Sequence, residues 1–246
     1  MTNVIEVRNL SFQYEDGTKA LDNVNFTLAE GETVALLGAN GSGKTTFILQ
    51  LNGILSGQGQ ITICGLPLGK DTLRQIRAKI GMVFQDSDEQ LFMPTVLEDV
   101  AFGPLNQGLS EQLAVERAKL ALEQAGLGHV LDKAPYHLSA GEKRRAALAG
   151  VLAMDPEILV LDEPTTFLDP PAQRNLLNLL SNLPQAKIIV THNTRFASAL
   201  ATRAGFFDKG RLVGEGPIDE IVRRYEWSYS ALPEAPDLRY SAQRRF

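Results

Sequence analysis

The residues that most clearly indicate a chemical function lie near the start of the chain, in Gly38-Ala39-Asn40-Gly41-Ser42-Gly43-Lys44-Thr45. This stretch matches the pattern G-x-x-x-x-G-K-[ST] at every fixed position. An apolar run precedes it, and no Gly or Pro follows until Gly53. A glycine-rich turn between a strand and a helix directs several backbone N–H groups at one point, where the helix dipole also favours an anion. The stretch therefore predicts a nucleotide-binding phosphate loop; the alternative is a chance match in an ordinary glycine turn.

Two side chains of this loop have distinct predicted tasks. We expect Lys44 to reach the β- and γ-phosphates and the Thr45 hydroxyl to bind Mg²⁺. Tyr14, upstream of the loop, is a candidate for stacking on the base, or it simply packs at a strand end. The predicted nucleotide-binding residues are Tyr14, Asn40, Gly41, Ser42, Gly43, Lys44, Thr45 and Thr46.

Three further apolar runs each end in polar side chains, namely Gln85, the pair Asp162 and Glu163, and His192. Near-continuous apolar runs separated by helical segments favour a parallel sheet that is covered on both faces. In such sheets ligands bind beyond the carboxyl ends of the strands. We therefore expect these residues to surround the same nucleotide as Lys44.

The residue types at these strand ends suggest how hydrolysis could proceed. Asp162 is expected to hold Mg²⁺, together with Thr45 and Gln85. Glu163 could orient or deprotonate the attacking water. His192 could contact the γ-phosphate or that water, although a lone His at a strand end is otherwise ordinary. The predicted catalytic residues are Lys44, Gln85, Glu163 and His192.

Composition limits the remaining possibilities. The net charge of −5 gives no electrostatic case for nucleic-acid binding. Cys64 is the only cysteine, so no intramolecular disulfide can form, as expected in a reducing compartment. No apolar run is long enough for a membrane-spanning helix. We expect a cytoplasmic chain that depends on another subunit for any work across a membrane.

The remaining patterns predict how the sheet is surrounded. Residues 1–31 contain apolar runs that are separated by a turn, and this pattern favours antiparallel strands. A helix is predicted from Ser110 towards Ala125, and Ser139 to Glu142 has the form of a capping box that opens another helix, which alone would be an ordinary helix start. We predict an α/β fold with a mainly parallel core sheet, an N-terminal antiparallel β subdomain and an inserted α-helical subdomain. The predicted domains are a nucleotide-binding core at 1–85 and 155–225, a helical subdomain at 86–154 and a C-terminal tail at 226–246.

These motifs together resemble the ABC transporter ATPase family over about residues 4–225. The matching motifs are the Walker A loop Gly38 to Thr46, the Q-loop Gln85, the signature Leu138 to Glu142, the Walker B strand Ile158 to Glu163, the D-loop Leu168-Asp169 and the switch histidine His192. The resemblance implies an ABC-type P-loop NTPase that uses ATP and Mg²⁺ and closes as a head-to-tail dimer with a second ATPase subunit. It implies that the nucleotide bound by one subunit is also contacted by the other through Ser139, Ala140, Gly141 and Glu142, with Asp169 in the D-loop, and that Tyr14 stacks on adenine.

Segments 83–104 and 136–145 look like the ATPases of energy-coupling-factor importers, and Pro135 to Leu138 looks most like those for cobalt or nickel. The resemblance implies an ATPase that drives import from the cytoplasmic face of the membrane, with transmembrane coupling and substrate-binding subunits as partners. His129, His137 and His192 are too scattered in sequence to predict a transition-metal site in this chain.

Three alternatives remain open at this stage. The same ATPase could drive vitamin uptake, which differs only in the membrane partners. A soluble ABC ATPase of DNA repair or translation is a second class, but those proteins typically have tandem cassettes or long coiled coils. A binding module that does not hydrolyse nucleotide is the third, and the intact Glu163 and His192 argue against it.

Four features of the sequence leave specific questions. Ala140 replaces the usual first glycine of the signature, which adds strain only if that position needs a positive φ. Phe167 stands where the D-loop usually has a small residue, so both residues put the dimer interface in doubt. The apolar stretch Leu91-Phe92-Met93 either faces a membrane partner or is buried among the helices. The tail, with Trp227, aromatic and arginine residues and prolines at 233–236, is expected to be loosely ordered.

Overall fold

The computed structural model describes residues 2–227, which contain two sheets and eight α-helices. The strands are β1 (Asn3–Gln13), β2 (Lys19–Ala29), β3 (Thr33–Leu37), β4 (Gln58–Ile63), β5 (Leu66–Pro67), β6 (Ile80–Val83), β7 (Ile158–Asp162), β8 (Ala186–Val190), β9 (Arg203–Asp208) and β10 (Arg211–Pro217). The helices are α1 (Lys44–Leu51), α2 (Leu73–Lys79), α3 (Val96–Asn106), α4 (Glu111–Gln124), α5 (Ala140–Leu152), α6 (Pro170–Ser181), α7 (Thr194–Leu200) and α8 (Ile218–Arg224).

The larger sheet is six-stranded and mainly parallel, which confirms the predicted core. Its strand order is β10-β9-β3-β8-β7-β6, and only β10 runs antiparallel to its neighbour. The four predicted apolar runs form β3, β6, β7 and β8, and every residue of the last three is buried. Because their carboxyl ends lie at one edge, the polar residues that follow them are brought together. The sequence-based prediction did not include β9 and β10.

The smaller sheet is antiparallel, as predicted for the N-terminal region, with the order β2-β1-β4-β5. Helix α1 lies between the two sheets. Its Phe47 is fully buried, and the Phe47 ring centroid is 5.4 Å from those of Phe26 in β2 and Phe207 in β9. Edge-to-face and tilted aromatic pairs at this distance are favourable. The helix that follows the phosphate loop is thus held by both sheets.

The helical segment between β6 and β7 consists of α3, α4 and α5, whose apolar faces form one buried cluster. Helix α4 contributes Ala114, Ala118 and Ala121, spaced by three or four residues along one face as predicted. Helix α5 also packs on the sheet, through Leu148 and Val151. The predicted α/β fold with inserted helices is therefore confirmed, whereas the domain bounds at 1–85, 86–154, 155–225 and 226–246 stay predictions.

The start of the predicted tail packs on the core. Trp227 donates its backbone N–H to Val222, and its ring lies 5.3 Å from that of Phe206, edge to face. The Tyr225 ring stacks on the same Phe206 at 4.0 Å. The rest of the tail, where loose order was predicted, lies outside the described residues. Within 2–227, every helix is too short or too polar to span a bilayer.

Candidate active site

The phosphate loop connects the end of β3 to the start of α1, and its shape depends on glycine at two positions. Gly38 has a φ of 138°, and an added Cβ would lie 2.2 Å from the carbonyl oxygen of Phe207. Gly43 has a φ of 106°, and its Cβ would lie 2.6 Å from the carbonyl oxygen of Ala20. Both sites combine a left-handed backbone with a close backbone neighbour, so a side chain would displace the loop.

Lys44 is folded back into the loop. Its Nζ donates to the carbonyls of Gly38 at 2.7 Å and Ala39 at 2.9 Å, and the residue is only 6% exposed. Burial lowers the pKa of Lys44, while the charges of Glu163 and Asp162 oppose that shift. The ammonium group thus lies where it organises the loop, next to two carboxylates at the sheet edge.

Thr45 and Asp162 form the second feature of the site. The Thr45 hydroxyl donates to Asp162 Oδ2 at 3.0 Å, across the gap between α1 and the end of β7. Burial raises the pKa of Asp162, the hydrogen bond from Thr45 opposes that shift, and the charge of Glu163 adds to it. A buried carboxylate beside a hydroxyl is the oxygen donor set that hard cations prefer. These residues fit a magnesium ion, whose charge would stabilise the ionised carboxylate.

Glu163 and His192 form a close pair at the ends of β7 and β8. Glu163 Oε2 lies 2.9 Å from His192 Nδ1, and it accepts hydrogen bonds from the Thr191 hydroxyl at 3.2 Å and the His192 backbone N–H at 3.4 Å. The backbone of Glu163 is left-handed, with a φ of 44°, and its N–H donates to Val190. This turn lets Glu163 face the end of β8 while Asp162 faces Thr45. Such a conformation costs about 1–2 kcal/mol in a residue other than glycine.

One cavity of about 500 Å³ collects most of the predicted site residues. Its lining includes Tyr14, Asn40, Gly41, Gly43, Lys44, Thr45, Thr46, Gln85, Asp162, Glu163 and His192. Ser42 is instead buried in support of the loop, where its hydroxyl lies 3.4 Å from Lys44 Nζ. Gln85 is exposed, directly after β6 and Phe84. The edge of the parallel sheet thus brings together residues that are far apart in the sequence.

Tyr14 borders the cavity and also packs at a strand end. Its hydroxyl lies 2.9 Å from the Thr46 hydroxyl, and its ring meets Phe12 edge to face at 4.9 Å. The side chain remains 40% exposed, so one face is open beside the loop. The base-stacking role of Tyr14 stays a prediction.

The signature and D-loop residues are not among those that line this cavity. Ser139 caps α5 in a reciprocal capping box with Glu142, as the sequence predicted, and Ala140 and Gly141 open the helix. Asp169 caps α6 by accepting the backbone N–H of Ala172 at 2.8 Å. Ser139 and Ala140 are exposed to solvent. Their role at a second subunit's nucleotide therefore stays a prediction.

Sequence reasoning missed Arg144 as a contact of the site. This residue lies on α5 and donates from its guanidinium to the carbonyls of Phe84 and Gln85, at 2.5 Å each. Arg144 shares the buried side of α5 with Leu148 and Val151, at spacings of four and seven residues. A cation in an otherwise apolar stripe is the signal that could have indicated a specific buried partner.

The chain is similar to known ATP-binding proteins of transporters. The model of the ABC transporter family matches residues 21–166. The energy-coupling factor transporter ATP-binding protein EcfA of Methanothermobacter thermautotrophicus is 46% identical over 244 residues, which cover 96% of this chain and 78% of EcfA.

Two solved structures extend the similarity. CbiO1 from Clostridium perfringens, part of the ABC transporter complex cbiONQ, superposes with a TM-score of 0.82 at 36% identity, covering 92% of this chain and 93% of CbiO1. A dimeric ATP-binding cassette in a post-hydrolysis state with ADP and Pi superposes with a TM-score of 0.78 at 30% identity, covering 87% of this chain and 98% of the cassette. The chain therefore belongs to the ABC transporter family, as an ATP-binding and ATP-hydrolysing subunit of the energy-coupling-factor type.

Proposed function

We propose that this chain hydrolyses ATP to energise an energy-coupling-factor type importer for cobalt or nickel ions. The observation that carries the catalytic part is the Glu163–His192 pair, which lies in one cavity with Lys44 and the Thr45–Asp162 pair. The cargo is supported by the similarity to CbiO1 and by the resemblance of Pro135 to Leu138 to cobalt and nickel uptake ATPases.

The phosphate loop binds ATP through its backbone N–H groups and Lys44, whose ammonium can exchange its bonds to loop carbonyls for bonds to phosphate oxygens. Thr45, Asp162 and Gln85 are the residues that would hold Mg²⁺, which supplies positive charge to the phosphates. Gln85 is exposed at the cavity, so its side-chain oxygen is free to turn toward such an ion. Tyr14 receives the base on its open face.

Glu163 is held in one orientation for the water. The hydrogen bonds that the described residues donate to this carboxylate all use Oε2, which leaves Oε1 for a hydrogen bond from the attacking water. Accepting that bond orients the water toward the γ-phosphate, and the carboxylate can take its proton. His192 is half exposed and lies beside Glu163, where it can contact the γ-phosphate. Positioning and charge stabilisation provide most of the catalysis in such transfers.

We further propose a head-to-tail dimer, formed with a second copy or a related ATPase. The capped N-terminus of α5 presents Ser139, Ala140, Gly141 and Glu142 away from the chain's own cavity, so these residues are free to contact a nucleotide on another subunit. Ala140 is the first residue of α5 and does not have a positive φ, so it adds no left-handed strain to the signature. Phe167, close to Asp169, is 86% exposed and offers an apolar contact for the second subunit.

A groove on the helical side is the proposed docking site for a transmembrane subunit. Its volume is about 900 Å³, and residues of α2, α3 and the stretch 90–92 line it. Phe92 is 62% exposed and meets the ring of Phe102, itself 40% exposed, at 5.1 Å. Leu91 borders the same groove and also packs, partly buried, against the helical cluster. Exposed aromatic pairs in a groove are typical of protein interfaces, and docking there attaches the chain to the cytoplasmic face of the membrane.

The catalytic proposal is tested by ATP hydrolysis of the purified chain beside a Glu163→Gln variant. We expect wild type to hydrolyse ATP, and the variant to bind MgATP, lose turnover and elute as an ATP-dependent dimer in size-exclusion chromatography. The glutamine keeps the shape of Glu163 but cannot accept a proton, so it separates binding from chemistry. Unchanged turnover in the variant would exclude Glu163 as the group that activates water.

The cargo is tested by reconstituting the chain with its transmembrane subunits in vesicles. ATP-dependent uptake of labelled cobalt or nickel supports the proposal, and uptake of a vitamin instead supports the alternative. That alternative retains the whole ATPase mechanism, because only the membrane partners differ.

A further inference from the structure

Two sets of hydrogen bonds hold the loop formed by residues 84–90, which carries Gln85. At its base, the Gln90 side chain donates to the Met82 carbonyl at 3.0 Å and accepts the Phe84 backbone N–H at 2.9 Å. These two bonds occupy the free edge of β6 as a neighbouring strand would. Gln90 thereby fixes where the loop leaves the sheet.

The other set comes from Arg144. Its two terminal nitrogens donate to the consecutive carbonyls of Phe84 and Gln85, at 2.5 Å each, and the residue is only 3% exposed. A guanidinium presents its donors in a rigid planar fork, so two bonds to neighbouring carbonyls fix the orientation of both peptide groups. The Gln85 side chain remains exposed at the cavity while its backbone is fixed.

A second contact between the same elements is weaker. Lys143 Nζ lies 2.6 Å from Asp88 Oδ1, but the Asp88 side chain is 66% exposed. Exposed ion pairs contribute little, because water competes for both partners. Arg144 is therefore the main link between the loop and α5, the helix that begins with the signature residues.

We propose that Arg144 is a positioning residue for Gln85, holding the loop 84–90 and the signature helix α5 together as one unit. The inference rests on the proposed function, in which Gln85 contacts the cation or water at the chain's own nucleotide. A displacement of α5, which presents Ser139 to the second subunit's nucleotide, then moves Gln85 as well. Arg144 thus couples the geometry of the two nucleotide sites of a dimer.

Lys187 provides a matched control for removing such a buried cation. It is 4% exposed, and its Nζ donates to the carbonyls of Leu183 at 2.6 Å and Gln185 at 2.8 Å. Lys187 lies near the start of β8, at the opposite end of the strand from His192. Arg144→Met and Lys187→Met therefore remove the same kind of contact, one beside the site and one away from it. Arg144→Lys keeps a cation that can reach a carbonyl but lacks the fork.

The experiment measures amide hydrogen exchange of residues 84–90 and steady-state ATP hydrolysis in the full chain. For Arg144→Met we expect faster exchange in this loop and a kcat lowered by about 10-fold or more, with the ATP dissociation constant changed by less than about 2-fold. Arg144→Lys should recover part of the lost kcat. Lys187→Met should leave both the loop exchange and kcat close to wild type, although its melting temperature falls.

Two results would overturn the inference. One is unchanged exchange of residues 84–90 in both Arg144 variants, and the other is a loss of kcat in Lys187→Met that equals the loss in Arg144→Met. If wild type itself fails to hydrolyse ATP, the proposed function is wrong. The exchange measurement alone then supports or overturns the role of Arg144 in holding residues 84–90 on α5. Since exchange needs no turnover, the two failures are distinguishable.

Discussion

Thr45→Val tests the proposed cation site with a small change of shape, because valine only replaces the hydroxyl by a methyl group. The hydroxyl donates to Asp162 Oδ2 at 3.0 Å, and Asp162 is 5% exposed. A hydrogen bond to a charged group contributes about 1.5–3 kcal/mol when buried. Since Thr45 itself is exposed, water replaces part of the lost hydrogen bond. We therefore expect Thr45→Val to lower the free energy of unfolding by about 1–1.5 kcal/mol. In a chain of this size that loss lowers the melting temperature by roughly 2–6 °C without added cation.

The pH dependence of this effect has a defined sign. Burial raises the pKa of Asp162, so ionising this residue costs stability as the pH rises through that pKa. The Thr45 hydroxyl stabilises the ionised form, so its contribution is present above the pKa of the folded state and is lost as the pH falls through it. The difference in melting temperature between wild type and Thr45→Val should therefore be largest at neutral and mildly alkaline pH, and it should shrink toward acid.

The neighbouring Thr46 offers a comparison of the same residue type. Its hydroxyl pairs with Tyr14 at 2.9 Å instead of with Asp162. We expect Thr45→Val to raise the Mg²⁺ concentration for half-maximal hydrolysis by about 10-fold, which corresponds to about 1.4 kcal/mol. Thr46→Val should raise the KM for ATP through Tyr14 and leave the Mg²⁺ requirement unchanged. An equal shift in the Mg²⁺ requirement for both variants, or none for Thr45→Val, refutes the assignment of Thr45 to the cation.

Two further substitutions test the backbone of the site. Gly43→Ala combines left-handed strain with a Cβ that would lie 2.6 Å from the Ala20 carbonyl, so we expect a loss of about 2–5 kcal/mol in unfolding experiments and of MgATP binding in calorimetry. Gly41→Ala, which has open space around its Cβ, should cost only the strain of about 1–2 kcal/mol. Phe167→Gly relieves left-handed strain at a φ of 63° but removes an exposed ring, so the monomer should melt no lower while ATP-dependent dimerisation in the Glu163→Gln background weakens. A Phe167→Gly variant that dimerises as well as the parent contradicts a role for that ring at the interface.

Local patterns of the sequence were sufficient to predict the strands that carry the site. Strands β3, β6, β7 and β8 are apolar along nearly their whole length because both faces of the sheet are covered, one by helices and the other by α1 and the smaller sheet, and such runs are visible in the sequence itself. Strand β10 gives no comparable pattern, since none of its residues is buried. It pairs with β9 in a local hairpin, whose turn at Lys209 and Gly210 has a positive φ at both residues. Strand β9 does contain a short buried run, Ala204 to Phe207, but that run and the turn after it were not recognised as a hairpin.

In the site, some residues were predicted from local sequence patterns, whereas others depend on contacts between distant parts of the chain. The polar residues at the strand ends were predicted because topology alone brings the carboxyl ends of parallel strands to one edge. The φ of 44° at Glu163 was not predictable, because a glutamate adopts this conformation only where its N–H finds a partner on β8 and its side chain finds partners just beyond that strand. The contact between Arg144 and Gln85 joins residues 59 positions apart. Nothing in their spacing indicates that they meet.

Ala140 and Phe167 both depart from the usual motifs, but the structure separates their physical consequences. Ala140 opens α5 with a helical backbone and an exposed side chain, where alanine is at least as favourable as glycine. Phe167 keeps a left-handed backbone, which costs a residue with a side chain about 1–2 kcal/mol, and 86% of it faces solvent. An isolated chain gains nothing from an exposed aromatic ring in a strained conformation. The compensation for Phe167 is therefore expected in the proposed dimer, so the D-loop, and not the signature, is where a substitution should change the pairing of the two subunits most.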